Sequence, residues 1–235
     1  MSYFRAAGAA SLIGAAVACA QRKVPDAVVM LSTTDASDAH AAPGDPELDA
    51  QGAADGSFDA ALRAGPRYRS VLHVGDSMVG FRGGLSRALE NRFEDAGVRF
   101  YSSASTSAGI RSFASSDHLE KLLSKLQPDA VILTLGTNNM TVPYPEALKG
   151  SIASIAKRIA PRDCYWIGPP SWKPDAAPAQ DAGAALVLVL EEATLPCKFF
   201  DSSKLQLERQ SDGVHPTNLG GEKWADAFWL FWLAH

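Results

Sequence analysis

Val71-Leu72-His73-Val74-Gly75-Asp76-Ser77 decides how this chain folds. The run that opens it is short and apolar enough for a strand buried on both faces of a parallel sheet, and it stops abruptly at Gly75-Asp76-Ser77. Residues 80–96 then carry a helical pattern, with apolar positions recurring at three and four. Ser77 therefore belongs to a strand-to-helix turn, where the free amides of a helix start face any oxyanion that develops beside the hydroxyl.

The same rhythm repeats outward from that turn. Strands are expected at 71–74, 98–102, 130–135, 165–168 and 198–201, and helices at 80–96, 117–126, 144–160, 179–194 and 219–233. Strands alternating with helices call for a parallel sheet covered on both sides. Five strands in this order predict a flavodoxin-like three-layer α/β/α sandwich, with reactive loops at the carboxyl ends of the strands. The last helix carries Trp224, Phe228, Trp229, Phe231 and Trp232, which suit core packing; its apolar stretch is too short to span a bilayer.

A serine hydroxyl is a poor nucleophile until an imidazole takes its proton, and the imidazole needs a carboxylate to fix its tautomer. Asp212-Gly213-Val214-His215 supplies both partners near the end of the chain, and Thr217-Asn218 just beyond provides a helix N-cap that would hold His215 rigidly. A third segment, Val131-Ile132-Leu133-Thr134-Leu135-Gly136-Thr137-Asn138-Asn139, again runs from an apolar strand into polar residues, and Asn138 could offer its amide to an oxyanion. In Ser105-Thr106-Ser107-Ala108-Gly109-Ile110 the Gly109 N–H could join it. Each segment alone reads equally well as a plain loop.

Taken together, the four segments resemble the SGNH hydrolases, also called the GDSL esterase/lipase superfamily, named for Ser, Gly, Asn and His in separated blocks. These map to Ser77, Gly109, Asn138 and His215 across roughly residues 69–235. The resemblance implies Ser77 as nucleophile and His215 as base oriented by Asp212. It also implies an oxyanion hole made of the Ser77 and Gly109 amides and the Asn138 side chain. It implies no cofactor. Two positions depart from the family pattern. Met78 stands where many members have Leu, a swap of similar volume. Asn139 stands where the third block usually has Asp, so a loop-bracing hydrogen bond is expected there without the charge.

The 235 residues are 46% apolar with a formal net charge of −4, enough for a full core and without the basic footprint of a nucleic-acid binder. Residues 1–20 read as an export signal: one Arg5, then a small-residue and aliphatic run. Ala16-Val17-Ala18-Cys19 is either a degenerate lipobox, making Cys19 a lipidated anchor to a membrane, or a plain cleavage region. Residues 21–66, rich in Ala, Asp, Gly and Pro, read as a flexible tether to the domain at 67–235, with a reach of about 40 Å. The mature protein is expected outside the cytoplasm of a bacterium, in the periplasm or anchored at the cell surface.

Cys164 and Cys197 each begin an apolar run expected to form neighbouring strands, so they are either a disulfide suited to an oxidising compartment or two buried thiols. No His, Cys or carboxylate cluster has metal-ligand spacing. For substrate contacts, Trp172 in Gly168-Pro169-Pro170-Ser171-Trp172-Lys173-Pro174 either stacks on a sugar or acyl group or packs as a partly buried residue. Arg82 and Arg111, each a few residues beyond a catalytic block, either bind an anionic substrate or pair with surface acids. The expected activity is hydrolysis of O-acyl esters, O-acetyl on carbohydrate or an envelope polymer above all, with small esters as further substrates. The alternatives are an O-acetyltransferase with the same acyl-enzyme and a catalytically silent envelope-binding protein. The sequence sets no oligomeric state.

Overall fold

The computed structural model describes residues 67–80, 84–172 and 180–235. The expected export signal, Cys19, the tether and Arg82 all lie outside the described residues. Among the described residues, five parallel strands form one sheet in the order β2-β1-β3-β4-β5. The strands are β1 (Ser70–Gly75), β2 (Arg99–Ala104), β3 (Ala130–Thr134), β4 (Asp163–Ile167) and β5 (Lys198–Phe200). The helices are α1 (Ser77–Gly80), α2 (Leu85–Asp95), α3 (Ile110–Ser115), α4 (His118–Leu126), α5 (Lys149–Ile159), α6 (Gln180–Ala193) and α7 (Asn218–Ala234). This is the flavodoxin-like α/β/α sandwich that the alternation of strands and helices predicts.

Two-residue periodicity explains the layering, because successive strand side chains point to opposite faces. Leu72, Val74, Val131, Leu133 and Trp166 meet the apolar sides of α3, α4, α5 and α6. Val71, Ile132, Tyr165 and Ile167 meet Leu85, Leu89 and Phe93 of α2 and Trp224, Ala225 and Phe228 of α7. The aromatic end of α7 closes that second face: Trp232 lies 4.3 Å from the Tyr165 ring and 5.0 Å edge-on from Phe93. No described helix is long and apolar enough to cross a membrane.

Three details differ from the sequence reading. The helix expected at 80–96 is two, α1 and α2, and the one at 144–160 opens as a 3₁₀ turn at Pro145–Leu148 before α5, with proline fixing the first turn. Ile110–Ser115 is helical, where a plain loop was the reading; Ile110 and Phe113, both buried, hold this short helix on the sheet. Cys164 and Cys197, brought together where β4 and β5 lie side by side, are joined by a disulfide with a Cα separation of 4.4 Å. Closing a loop across a sequence separation of 33 stabilises the fold by about 3–4 kcal/mol in the chain-entropy view.

Candidate active site

All the reactive segments emerge at the carboxyl ends of the strands. After β1, the chain turns so closely past β3 that a Cβ on Gly75 would collide with the Thr134 carbonyl, which leaves glycine as the fitting residue. The Asp76 amide donates to the Thr134 carbonyl at 3.1 Å, and the Ser105 amide donates to the Gly75 carbonyl at 2.8 Å, so the turn is bound on both sides. Ser77 follows at the first position of α1, half-buried, above the fully buried Met78.

His215 and Asp212 arrive from the loop between β5 and α7. Ser77 Oγ is 3.0 Å from His215 Nε2, and His215 Nδ1 is 2.7 Å from Asp212 Oδ2. The other carboxylate oxygen, Oδ1, accepts from the Val214 amide at 2.8 Å and the His215 amide at 3.0 Å. Burial works against the charge on Asp212, but the bonds from His215 and these amides outweigh it and hold the carboxyl below its ordinary range. As expected, Thr217 caps α7, its hydroxyl accepting from the Gly220 amide at 3.1 Å two residues beyond His215.

The Gly109 and Asn138 blocks are joined to one another. Asn138 Nδ2 donates to the Ala108 carbonyl at 3.1 Å, which engages one of its two N–H protons. Asn139, buried, accepts from the Ile110 amide at 2.9 Å through Oδ1, so the expected brace forms with a neutral amide in place of the carboxylate. The Gly109 amide donates to the Ser112 hydroxyl at 3.1 Å, and that hydroxyl donates back to the Gly109 carbonyl at 2.9 Å. The hydrogen-bond donor expected of Gly109 is therefore shared with the first turn of α3.

Two of the expected substrate contacts, Trp172 and Arg111, lie among the described residues. Trp172 is half-buried and packs against the cluster on the α3–α6 face. Arg111 is exposed and donates to the Ala147 carbonyl at 3.2 Å, which pins α3 to the 3₁₀ turn before α5. Among the described residues, no group of three or more His, Cys, Asp or Glu is placed to hold a metal ion.

Asp76 is the functional candidate that sequence reading passed over. It is fully buried, and Oδ1 accepts from the Met78 amide at 3.0 Å, folding the carboxylate over the start of α1. Burial pushes its carboxyl up to about 6, against the opposing pull of the Met78, Gly136 and Thr137 amides and of His215. The Gly136 and Thr137 amides face the group without completing a well-formed hydrogen bond to Oδ2. Asp76 thus links the Ser77 turn electrostatically to the Asn138 loop. Its signal in the sequence is a carboxylate placed directly between a buried strand and a candidate nucleophile.

No family model matches the sequence, and no curated protein matches it either. Solved structures do. An acetyl xylan esterase, AlAXEase, superposes with a TM-score of 0.57 at 15% identity, over 69% of this chain and 98% of that one. TesA gives 0.56 at 21% identity, over 68% and 96%. A carbohydrate acetylesterase family member from Sinorhizobium meliloti gives 0.54 at 16% identity, over 71% and 98%. With a 2-1-3-4-5 parallel sheet and its reactive loops at the strand ends, this chain has the fold of the SGNH hydrolases, a superfamily of hydrolytic enzymes.

Proposed function

We propose that the protein is a serine esterase that removes O-acyl groups, O-acetyl above all, from carbohydrate or a cell-envelope polymer. The observation that carries this reading is the unbroken chain Asp212–His215–Ser77, with contacts of 2.7 and 3.0 Å. Asp212 fixes the tautomer with a proton on Nδ1, which leaves Nε2 to accept the Ser77 proton as Oγ attacks the ester carbonyl. The carbonyl oxygen becomes an oxyanion beside the Ser77 amide at the start of α1 and the second N–H of Asn138, with the Gly109 amide joining them once it exchanges the Ser112 hydroxyl for the substrate oxygen. When the tetrahedral adduct collapses, the C–O bond to the alcohol breaks and His215 returns the proton to the leaving alkoxide. Water then repeats the sequence on the acyl-enzyme: His215 takes its proton, and Ser77 leaves with that proton restored.

The substrate class rests on similarity in fold to an acetyl xylan esterase, a carbohydrate acetylesterase family member and a family 3 carbohydrate esterase. Export rests on the sequence of residues 1–20 and 21–66, and the Cys164–Cys197 disulfide is compatible with an oxidising compartment.

The deciding experiment measures acetate release from p-nitrophenyl acetate and acetylated xylan, by wild type and Ser77→Ala, with and without a sugar acceptor. Serine-dependent release that ignores the acceptor is expected. Acetyl diverted to the sugar would make the protein a transferase, and equal glycan binding by both forms without turnover would make it a silent binder.

A further inference from the structure

Arg209 is 8% exposed, and no described carboxylate lies within ion-pairing distance of its guanidinium. Desolvating a cation is costly, and a Met or Leu of similar length would fill the same space without that cost. Both of its hydrogen bonds go to main-chain carbonyls instead. Nη1 donates to Val214 at 2.8 Å and Nη2 to Ser171 at 2.6 Å. Burial pushes the guanidinium down to about 10 while Asp212 pulls the other way, so it stays charged at neutral pH.

The two carbonyls have different addresses. Val214 C=O and His215 N–H belong to one peptide plane. Its oxygen is held by Arg209, and its N–H is held by Asp212 Oδ1 at 3.0 Å. A peptide plane clamped at both ends fixes the Cα of His215 and therefore the direction in which the imidazole leaves the backbone. Ser171 sits in the loop after β4, beside Trp172, and its own hydroxyl donates to the Ser203 carbonyl at 2.7 Å. The loop around Arg209 is also tied by the Gln210 side chain, which donates to the Pro216 carbonyl at 3.2 Å, and by the Gly213 amide, which donates to the Gln210 carbonyl at 3.0 Å. Gln210 N–H donates to the His215 carbonyl at 2.9 Å, and Thr217 N–H to the Glu208 carbonyl at 2.9 Å. Without the guanidinium, the oxygen side of the His215 peptide loses its hydrogen-bond donor.

We propose that Arg209 is a positioning residue: its two-carbonyl bridge sets the peptide plane that aims His215 at Ser77 and locks that plane to the loop carrying Trp172. The proposal rests on the serine-hydrolase reading above. The planar fork is what the task requires, since two donors at a fixed angle reach two carbonyls at once and a lysine ammonium cannot reproduce that geometry.

The test uses the full chain with Arg209→Met and Arg209→Lys, each also combined with His215→Ala, and p-nitrophenyl acetate as substrate. Arg209→Met is expected to lower kcat about 10²-fold while moving KM far less, the size of effect a misplaced catalytic group produces. Arg209→Lys should recover only part of the loss. In the His215→Ala background, Arg209→Met should change the residual rate by no more than about two-fold, because a residue that acts through the imidazole has nothing left to act on. A purely structural role would reduce the rate in both backgrounds. Should the Met variant fail to fold, the Lys variant carries the same comparison.

Serine-dependent turnover in wild type that survives Arg209→Met within about two-fold, or an equal loss with and without His215, overturns the proposal. If wild type shows no Ser77-dependent turnover, the esterase reading falls and hydrogen exchange judges Arg209. Faster exchange at the Gly213, Val214 and His215 amides in Arg209→Met supports the clamp, and unchanged exchange overturns it.

Discussion

Among the described residues, two imidazoles with different surroundings each lie within hydrogen-bond reach of a serine hydroxyl, His215 of Ser77 at 3.0 Å and His73 of Ser86 at 2.8 Å. They differ in everything else. His73 is fully buried in β1, its other nitrogen is 2.8 Å from the Thr134 hydroxyl, and burial pushes its pKa down to about 3. Both ring nitrogens are satisfied by neutral groups, and protonation is penalised, so this ring is a poor base. His215 keeps 24% of its side chain exposed and faces a carboxylate whose second oxygen is tied to the backbone. A third pair, His118 with Ser103 at 3.1 Å, also has no carboxylate hydrogen-bonded to its ring among the described residues. Proximity of Ser and His therefore does not make a nucleophile. On the proposed reading, Ser77 is set apart by the carboxylate behind its histidine, its access to substrate and its place at the start of α1.

The sharpest way to break this comparison is to remove each serine. Ser77→Ala should reduce ester turnover by about 10⁴-fold or more, whereas Ser86→Ala should stay within about three-fold of wild type in kcat. Comparable losses from both would show that the two pairs are not functionally distinct. Asp212→Asn comes next: with the Nδ1 tautomer no longer enforced, kcat should fall about 10³- to 10⁴-fold at neutral pH with little change in folding stability. Asn138→Ala should cost about 10²- to 10³-fold in kcat with a nearly constant KM, the signature of a donor that acts on the transition state. A loss appearing mainly in KM would move Asn138 from the oxyanion to ground-state binding.

The smallest effect is a pH signature of two buried groups, His73 on β1 and Asp76 in the turn that follows it. The folded His73, at about 3, refuses a proton that the unfolded chain binds below about 6.5, so its contribution makes stability rise with pH between those values. The folded Asp76, at about 6, keeps a proton that the unfolded chain gives up near 3.8, so its contribution makes stability fall as pH rises from about 4 to 6. In wild type the two slopes oppose each other across that window. His73→Gln should keep its kcat and expose the Asp76 limb, with stability from urea unfolding dropping by about 1 kcal/mol per pH unit between pH 4 and 6. A stability that is level or rising over that range in the variant would refute the burial argument for Asp76.

Much of this was legible in the sequence because hydrophobic burial writes itself as pattern. The apolar runs at Val71-Leu72, Val131-Ile132-Leu133 and Tyr165-Trp166-Ile167 gave the strands, their alternation with helices gave the parallel sheet covered on both faces, and Thr217 marked the start of α7. The Asn139 brace was readable because an amide oxygen can accept where a carboxylate would. What escaped depends on partners that carry no side-chain signal. Ile110–Ser115 is too short for a helical period to emerge, and tertiary contacts through Ile110 and Phe113 decide it. The capture of the Gly109 amide by Ser112 is a local hydrogen bond among many that its loop could have formed. Arg209 bonds only backbone carbonyls, which every residue possesses, so nothing in its neighbourhood of the sequence distinguishes it from a surface arginine.

The central claim is that, of the three serines paired with histidine among the described residues, Ser77 is the nucleophile, and a fluorophosphonate probe tests it directly, without any choice of substrate. Intact mass followed by peptide mapping is expected to find a single adduct on Ser77, absent from Ser77→Ala and undiminished in Ser86→Ala. An adduct on Ser86 or Ser103, labelling that persists in Ser77→Ala, or no adduct on the wild-type protein would contradict the account.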